Sequence, residues 1–143
     1  MPSKFETLLE VRPSDIDGNR HVHNTVYFDY VLAARYDQMA RCYGMPMTEF
    51  ERHGWGWIVR AAEIEHKRPL LLGDTARVRT WVEGMGDAGR GKRARSLCTI
   101  RFEIESVKTG KLAAHGRINY VMVDAKTGKP IEIPEFIIEK YSI

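Results

Sequence analysis

Asp17, Asn19, His21 and His23 alternate along one polar stretch, and Asn24 and Thr25 lead it straight into an apolar run that begins at Val26 and Tyr27. A carboxylate in such a place can attack a carbonyl carbon or activate water. Backbone N–H groups that open a helix carry partial positive charge, so a polarised carbonyl oxygen or an anion is welcome beside them. Together these groups fit addition to an ester-like carbonyl. The alternating His21 and His23 also point both rings one way, as ligands of a metal shared with Asp15 or Asp17 would. No third histidine lies nearby in the sequence, so no metal is expected.

The elements that must hold these groups are legible from periodicity. Phe5, Thr7, Leu9 and Val11 alternate with Glu6, Glu10 and Arg12, the pattern of a half-buried strand, which Pro13 ends. Ser14 to His23 reads as a loop. Val26, Tyr27, Tyr30, Val31, Ala34 and Met39 recur at helical spacing until Gly44 and Pro46, with Asn24 as the expected N-cap. The apolar run from Tyr27 to Ala34 predicts a helix buried around most of its circumference, as when a sheet wraps it.

Four long strands are predicted after it, over 57–65, 75–83, 93–105 and 111–123. In the third of these, Ala94, Ser96, Cys98, Ile100, Phe102 and Ile104 make an apolar face, and the alternate positions are mostly charged. The glycine-rich stretch 84–91 lacks the terminal Gly-Lys-Ser/Thr of a phosphate loop and lies between strands, so it reads as a hairpin turn. One helix followed by consecutive strands gives an α+β fold with an antiparallel sheet curled on the helix.

Composition narrows the function. A chain of 143 residues, 43% hydrophobic, fits one domain over 1–143 with one core. No apolar stretch reaches the roughly 20 residues that span a bilayer, and the first residues lack the features of a signal peptide. A cytoplasmic protein without a membrane role is expected. Cys42 and Cys98 fall in helix and strand interiors and read as reduced thiols. The net charge is +3, with basic residues crowded at Arg90, Lys92, Arg93 and Arg95 and again at Lys67 and Arg68. Such clusters suit a phosphate-bearing partner. Nucleic acid is not expected, because no aromatic residues interleave the cluster to stack bases. His53, His66 and His115 are scattered and read as structural or solvent-facing.

The chain resembles the hotdog-fold acyl thioesterases, in particular the 4-hydroxybenzoyl-CoA thioesterase-like group and the acyl-ACP thioesterases. Asp15-Ile16-Asp17, His21-Val22-His23-Asn24 and Tyr27 are similar to the family's Asp-x-Asp, His-Val-Asn-Asn and helix tyrosine. Arg68-Pro69 with Gly73-Asp74, and Asp124 with Thr127-Gly128-Lys129-Pro130 and Ile133-Pro134, look like two of its turns. The resemblance implies about five antiparallel strands wrapped around one long central helix, and hydrolysis of acyl-CoA or acyl-ACP without a cofactor.

By the same resemblance, Asp17 is the catalytic carboxylate, with Asn19 and His21 completing the Asp-x-Asn-x-His arrangement of the acyl-ACP branch. Backbone N–H groups around Asn24 and Thr25 would hold the oxyanion. Tyr27 would present an edge to substrate, Trp57 and Val59 would line an acyl tunnel, and Arg90, Lys92 and Arg93 would meet phosphates. Two departures stand out. Arg20 occupies a position where many CoA-type relatives have Gly, and His23 replaces the first Asn of the Asn-Asn pair. Pro69 and Leu70 stand where the acyl-ACP branch has an acidic residue and a cysteine, which favours the carboxylate route. The family implies a homodimer at least, with a tetramer of two dimers as the larger assembly. An enoyl-CoA hydratase of the same fold and a non-catalytic acyl-CoA binder are the competing readings.

Overall fold

The computed structural model describes residues 2–86 and 92–143, without the side chains of Lys92 and Arg93. Strand β1 (Phe5–Glu10) leads through a 3-10 turn at Pro13–Asp15 to helix α1 (Val26–Arg41) and the short helix α2 (Met47–Arg52). Four longer strands follow, β2 (Trp55–His66), β3 (Thr75–Met85), β4 (Leu97–Ser106) and β5 (Leu112–Asp124), and helix α3 (Glu135–Lys140) closes the chain. The strands form one antiparallel sheet in the order β1-β3-β4-β5-β2. The α+β hotdog architecture expected from the sequence is the one observed.

Alternation builds this sheet. Along β3 and β4 every second residue is buried, so Ala76, Val78, Cys98, Ile100, Phe102 and Ile104 form an inner face. Tyr27, Tyr30, Val31 and Ala34 of α1 pack on it. The outer face carries cross-strand ion pairs, Arg77 to Glu105 at 2.6 Å and Arg79 to Glu6 at 2.7 Å and Glu105 at 3.0 Å. Gly116 on β5 sits directly between Phe102 and Ile64 in the ladder. A Cβ there would collide with the Glu63 carbonyl and the Phe102 ring, so the sheet closes only over a residue without one.

Several expectations are corrected. The strand predicted from Arg93 begins at Leu97, because residues Lys92–Ser96 form a 3-10 helix that continues the apolar alternation in sequence but not in backbone. Helix α1 is not buried around most of its circumference, since Leu32 and Tyr36 are 45% and 53% exposed. The single core divides into two clusters, one at each end of α1, with Tyr120 packed against both. Asn24 is not the N-cap. Thr25 occupies that place without a side-chain cap, and His23 does the capping, its Nδ1 accepting from the Thr25 N–H at 3.2 Å and its carbonyl from Val26 N–H at 2.9 Å.

Candidate active site

The segment between β1 and α1 is fixed by bonds to distant chain. Asp17 N–H donates to the His21 carbonyl at 2.9 Å, closing a tight turn in which Arg20 takes a left-handed φ of 66°. Val22 N–H donates to the Leu70 carbonyl at 2.9 Å, and His21 forms a bridge with Leu71. Leu70 is fully buried and anchors the β2–β3 connection beneath the loop. His23 N–H, bonded to the Asp15 carbonyl at 2.8 Å, ties the far end.

Within this frame the two aspartates diverge. Asp15 is buried, and its Oδ2 accepts from the Arg12 N–H at 2.9 Å and the Tyr30 hydroxyl at 2.7 Å, while Oδ1 accepts from Arg12 Nη2 at 3.0 Å. Burial pushes this carboxyl up, but the Arg12 and Tyr30 bonds outweigh it and hold the group below the ordinary carboxylate range. Asp17 is half-buried and, among the described residues, accepts only the backbone N–H of Asn19, at 2.9 Å. Asp15 is thus consumed by structure, whereas Asp17 keeps lone pairs to spare.

Those lone pairs face an open cavity of about 380 Å³ lined by Asp17, His21, Asn24, Tyr27, His66, Lys67 and Arg68, among others. Tyr27 is buried, with its oxygen accepting from Leu70 N–H at 3.1 Å, so its own hydroxyl proton remains to donate. Burial pushes its phenol above the ordinary range despite the Leu70 bond, and the Asp17 charge adds to the rise. The Tyr27 ring meets the His66 ring edge-on, centroids 4.9 Å apart.

Sequence reasoning placed His66 outside the site. It enters through the sheet, far downstream of a loop it meets only in three dimensions, and the single sign of it was the Lys67-Arg68-Pro69 turn that follows. Of the expected substrate contacts, Asn24 and Tyr27 line this cavity. Thr25 does not, and its N–H is already taken by His23. Asn19 serves Asp17 through its backbone. Trp57 and Val59 line a different cavity farther along α1. Arg90 lies outside the described residues, as do the side chains of Lys92 and Arg93. Cys98 offers no thiolate, because burial pushes its thiol up to about 12 against a smaller opposing effect of Arg35. Among the described residues no group of three or more His, Cys, Asp or Glu is placed to hold a metal ion, and no helix is long and apolar enough to cross a membrane.

Comparison with known proteins identifies the family and the fold. A model of the thioesterase-like superfamily matches residues 11–141. The long-chain acyl-CoA thioesterase FadM of Escherichia coli (strain K12) is 26% identical over 137 residues, which cover 95% of this chain and 96% of FadM. Among solved structures, a thioesterase from Thermus thermophilus complexed with coenzyme A and Zn is 29% identical, with a TM-score of 0.75 over 95% of this chain and 90% of its own. A DHNA-CoA thioesterase from Staphylococcus aureus superposes with a TM-score of 0.83 over 97% of this chain and 89% of its own; at 24% identity it speaks to the fold. A match running from Val11 to Tyr141 leaves outside it only the first strand and the chain ends: the chain belongs to the thioesterase-like superfamily, as a hotdog-fold hydrolase of acyl thioesters.

Proposed function

We propose that the protein cleaves acyl-CoA thioesters, that Asp17 is the group acting on the carbonyl, and that the working form is at least a homodimer. The observation that carries the reading is the division of labour between two neighbouring aspartates. Asp15 is fully bonded inside the fold, while Asp17 opens on a cavity with hydrogen-bond donors and cations around it.

A thioester carbonyl seated there would place its oxygen toward the Asn24 N–H and the Tyr27 hydroxyl, donors at the helix mouth that have no acceptor among the described residues. Charge developing on that oxygen would be met by fixed dipoles rather than by reorganising water. Asp17 either attacks the carbonyl carbon or takes a proton from water that attacks it. Both routes consume one water, break the C–S bond and yield acid and thiol. His21 and His66 are the imidazoles within the cavity able to give the departing thiolate a proton. Asn19 positions Asp17.

CoA is favoured as the carrier by the cations. Lys67 and Arg68 line the cavity, and Arg68 also borders a groove that holds Lys108 and Lys111, so phosphates would find a continuous basic track. FadM is an acyl-CoA thioesterase, and the Thermus relative binds coenzyme A. Assembly is supported by β2. It is twelve residues long, lies at the sheet edge, and exposes Ile58 and Val59 at 49% and 48% beside the bare Leu32 and Tyr36 of α1. Such an edge is a template for a second copy.

The test is thiol release from a panel of acyl-CoAs, from acetyl to palmitoyl with benzoyl, hydroxybenzoyl and an enoyl-CoA, run alongside sedimentation. Turnover by a dimer or larger species is expected. Loss of enoyl absorbance without thiol release would replace the reading with a hydratase, and tight binding without turnover would make the protein a binder. A monomer that turns over at full rate would remove the assembly from the proposal.

A further inference from the structure

We propose that the cavity farther along α1 receives the far end of the acyl group, and that Arg35 makes it selective for acyl groups that end in a carboxylate. The inference rests on the acyl-CoA thioesterase reading and adds the class of acyl group.

The second cavity has a volume of about 230 Å³ and is lined largely by apolar side chains, among them Leu32, Met39, Trp57, Val59 and Ile100. Among the described residues Arg35 is the one charged residue on its wall, and it is 7% exposed. Among the described residues its guanidinium is paired with no carboxylate. It is held by the Thr80 hydroxyl at 3.5 Å and lies over the rings of Tyr43 and Tyr141, 5.4 and 5.9 Å from their centroids. Thr80 in turn donates to Gln38, Gln38 donates to Thr7 at 3.0 Å, and Thr7 donates to Asp37 at 2.6 Å. The carboxylate at the end of that chain is already engaged by Arg41 at 2.9 Å.

A guanidinium taken out of water without a counter-ion is costly, and packing of its stem on aromatic rings recovers only part of the cost. One edge of the fork is held by Thr80, its carbon lies over two tyrosine rings, and the residue lines a cavity of ligand size. An incoming carboxylate would complete the pair with charge-assisted hydrogen bonds that an arginine fork is shaped to make. A terminal methyl group would bury the same cation against hydrocarbon and leave it unpaired.

The spacing also fits. Tyr27 lines the first cavity and Arg35 the second, eight residues farther along one helix. At the helical rise that separation is roughly 12 Å, the scale of a medium-length acyl chain. The proposal places a thioester carbonyl at Asp17 and the distal carboxylate of the same acyl group at Arg35.

The experiment compares kcat/KM for adipoyl-, suberoyl- and sebacoyl-CoA with hexanoyl-, octanoyl- and decanoyl-CoA, chain for chain, in the wild type, Arg35→Met and Arg35→Lys. The wild type is expected to favour the carboxylate-ended member of at least one pair by about tenfold or more, the scale of a charge-assisted hydrogen bond. Arg35→Met should reverse that ratio, and Arg35→Lys should keep a fraction of it. A wild type that cleaves alkyl chains as well as or better than their carboxylate-ended partners overturns the inference while leaving the thioesterase reading intact, and needs no variant to fold. An unchanged ratio in Arg35→Met also overturns it. No thiol release from any member overturns the thioesterase reading itself, and the inference with it.

Discussion

Replacing Asp17 by Asn separates chemistry from fold within one loop. The carboxylate accepts a single hydrogen bond, from the Asn19 N–H at 2.9 Å, and the amide oxygen of an asparagine can accept it equally. The Asp17→Asn protein should therefore unfold within about 0.5 kcal/mol of the wild type, the range of surface substitutions that break no buried contact. The new side chain can neither attack a carbonyl nor take a proton from water. Loss of a positioned proton-transfer group costs about 100- to 10,000-fold in kcat, which corresponds to about 3–5 kcal/mol of barrier. KM should move by no more than a few-fold, because the cations that would hold the carrier are untouched. The assay is thiol release with a chromogenic reagent on the best acyl-CoA of the panel, with thermal melts on the same samples. A variant that keeps more than about a tenth of wild-type kcat would sink the assignment of Asp17. A variant that loses rate and melting temperature together would show the residue to be structural after all.

The other predictions follow the same loop. Asp15→Ala should lower stability by about 2–3 kcal/mol, chiefly by stranding the buried Tyr30 hydroxyl, whose hydrogen bond to Asp15 is 2.7 Å long; denaturant titration reads it, and a midpoint unchanged from wild type would contradict it. The folded Asp15 carboxyl lies below its ordinary 3.8, so the stability it contributes is present above that pH and is lost as pH falls through the folded value. Asp15→Ala should flatten the acid limb of the stability profile below pH 3.8, and an acid limb identical to wild type would refute this. Arg20→Gly should raise stability by about 0.5–1 kcal/mol, since relief of a left-handed φ of 66° outweighs the extra freedom of glycine in the unfolded chain; a lower melting temperature would show that the Arg20 side chain holds the turn.

Much of this was open to inspection in the sequence. The β4 face of Cys98, Ile100, Phe102 and Ile104 was legible because an antiparallel sheet with one wet side imposes a period of two. The start of that strand was not, since Ala94 and Ser96 prolong the alternation through a 3-10 turn. Helices α2 and α3 are six residues each, too short for helical periodicity to declare itself. The lining of the candidate cavity was legible where it is local, in Asp17, His21, Asn24 and Tyr27. It was hidden where the sheet delivers a residue from afar, as with His66, and where a side chain acts against type. Histidine is not a usual helix cap, so the role of His23 at Thr25 went to Asn24 in the sequence. An arginine inside a helical run reads as solvated, and nothing in the spacing around Arg35 betrays its burial.

The chain of Asp37, Thr7, Gln38 and Thr80 that ends at Arg35 has a consequence for how the helix sits on the sheet. Apolar contacts are non-directional, and a helix resting on a smooth aliphatic floor can rotate or creep by part of a turn at little cost. These hydrogen bonds are directional and span three elements, from β1 through α1 to β3. They act as a vernier, admitting one azimuth and one height of α1. Uniqueness of pose, more than depth of the energy well, is what they contribute, so every copy of the molecule presents the same cavity wall to whatever enters.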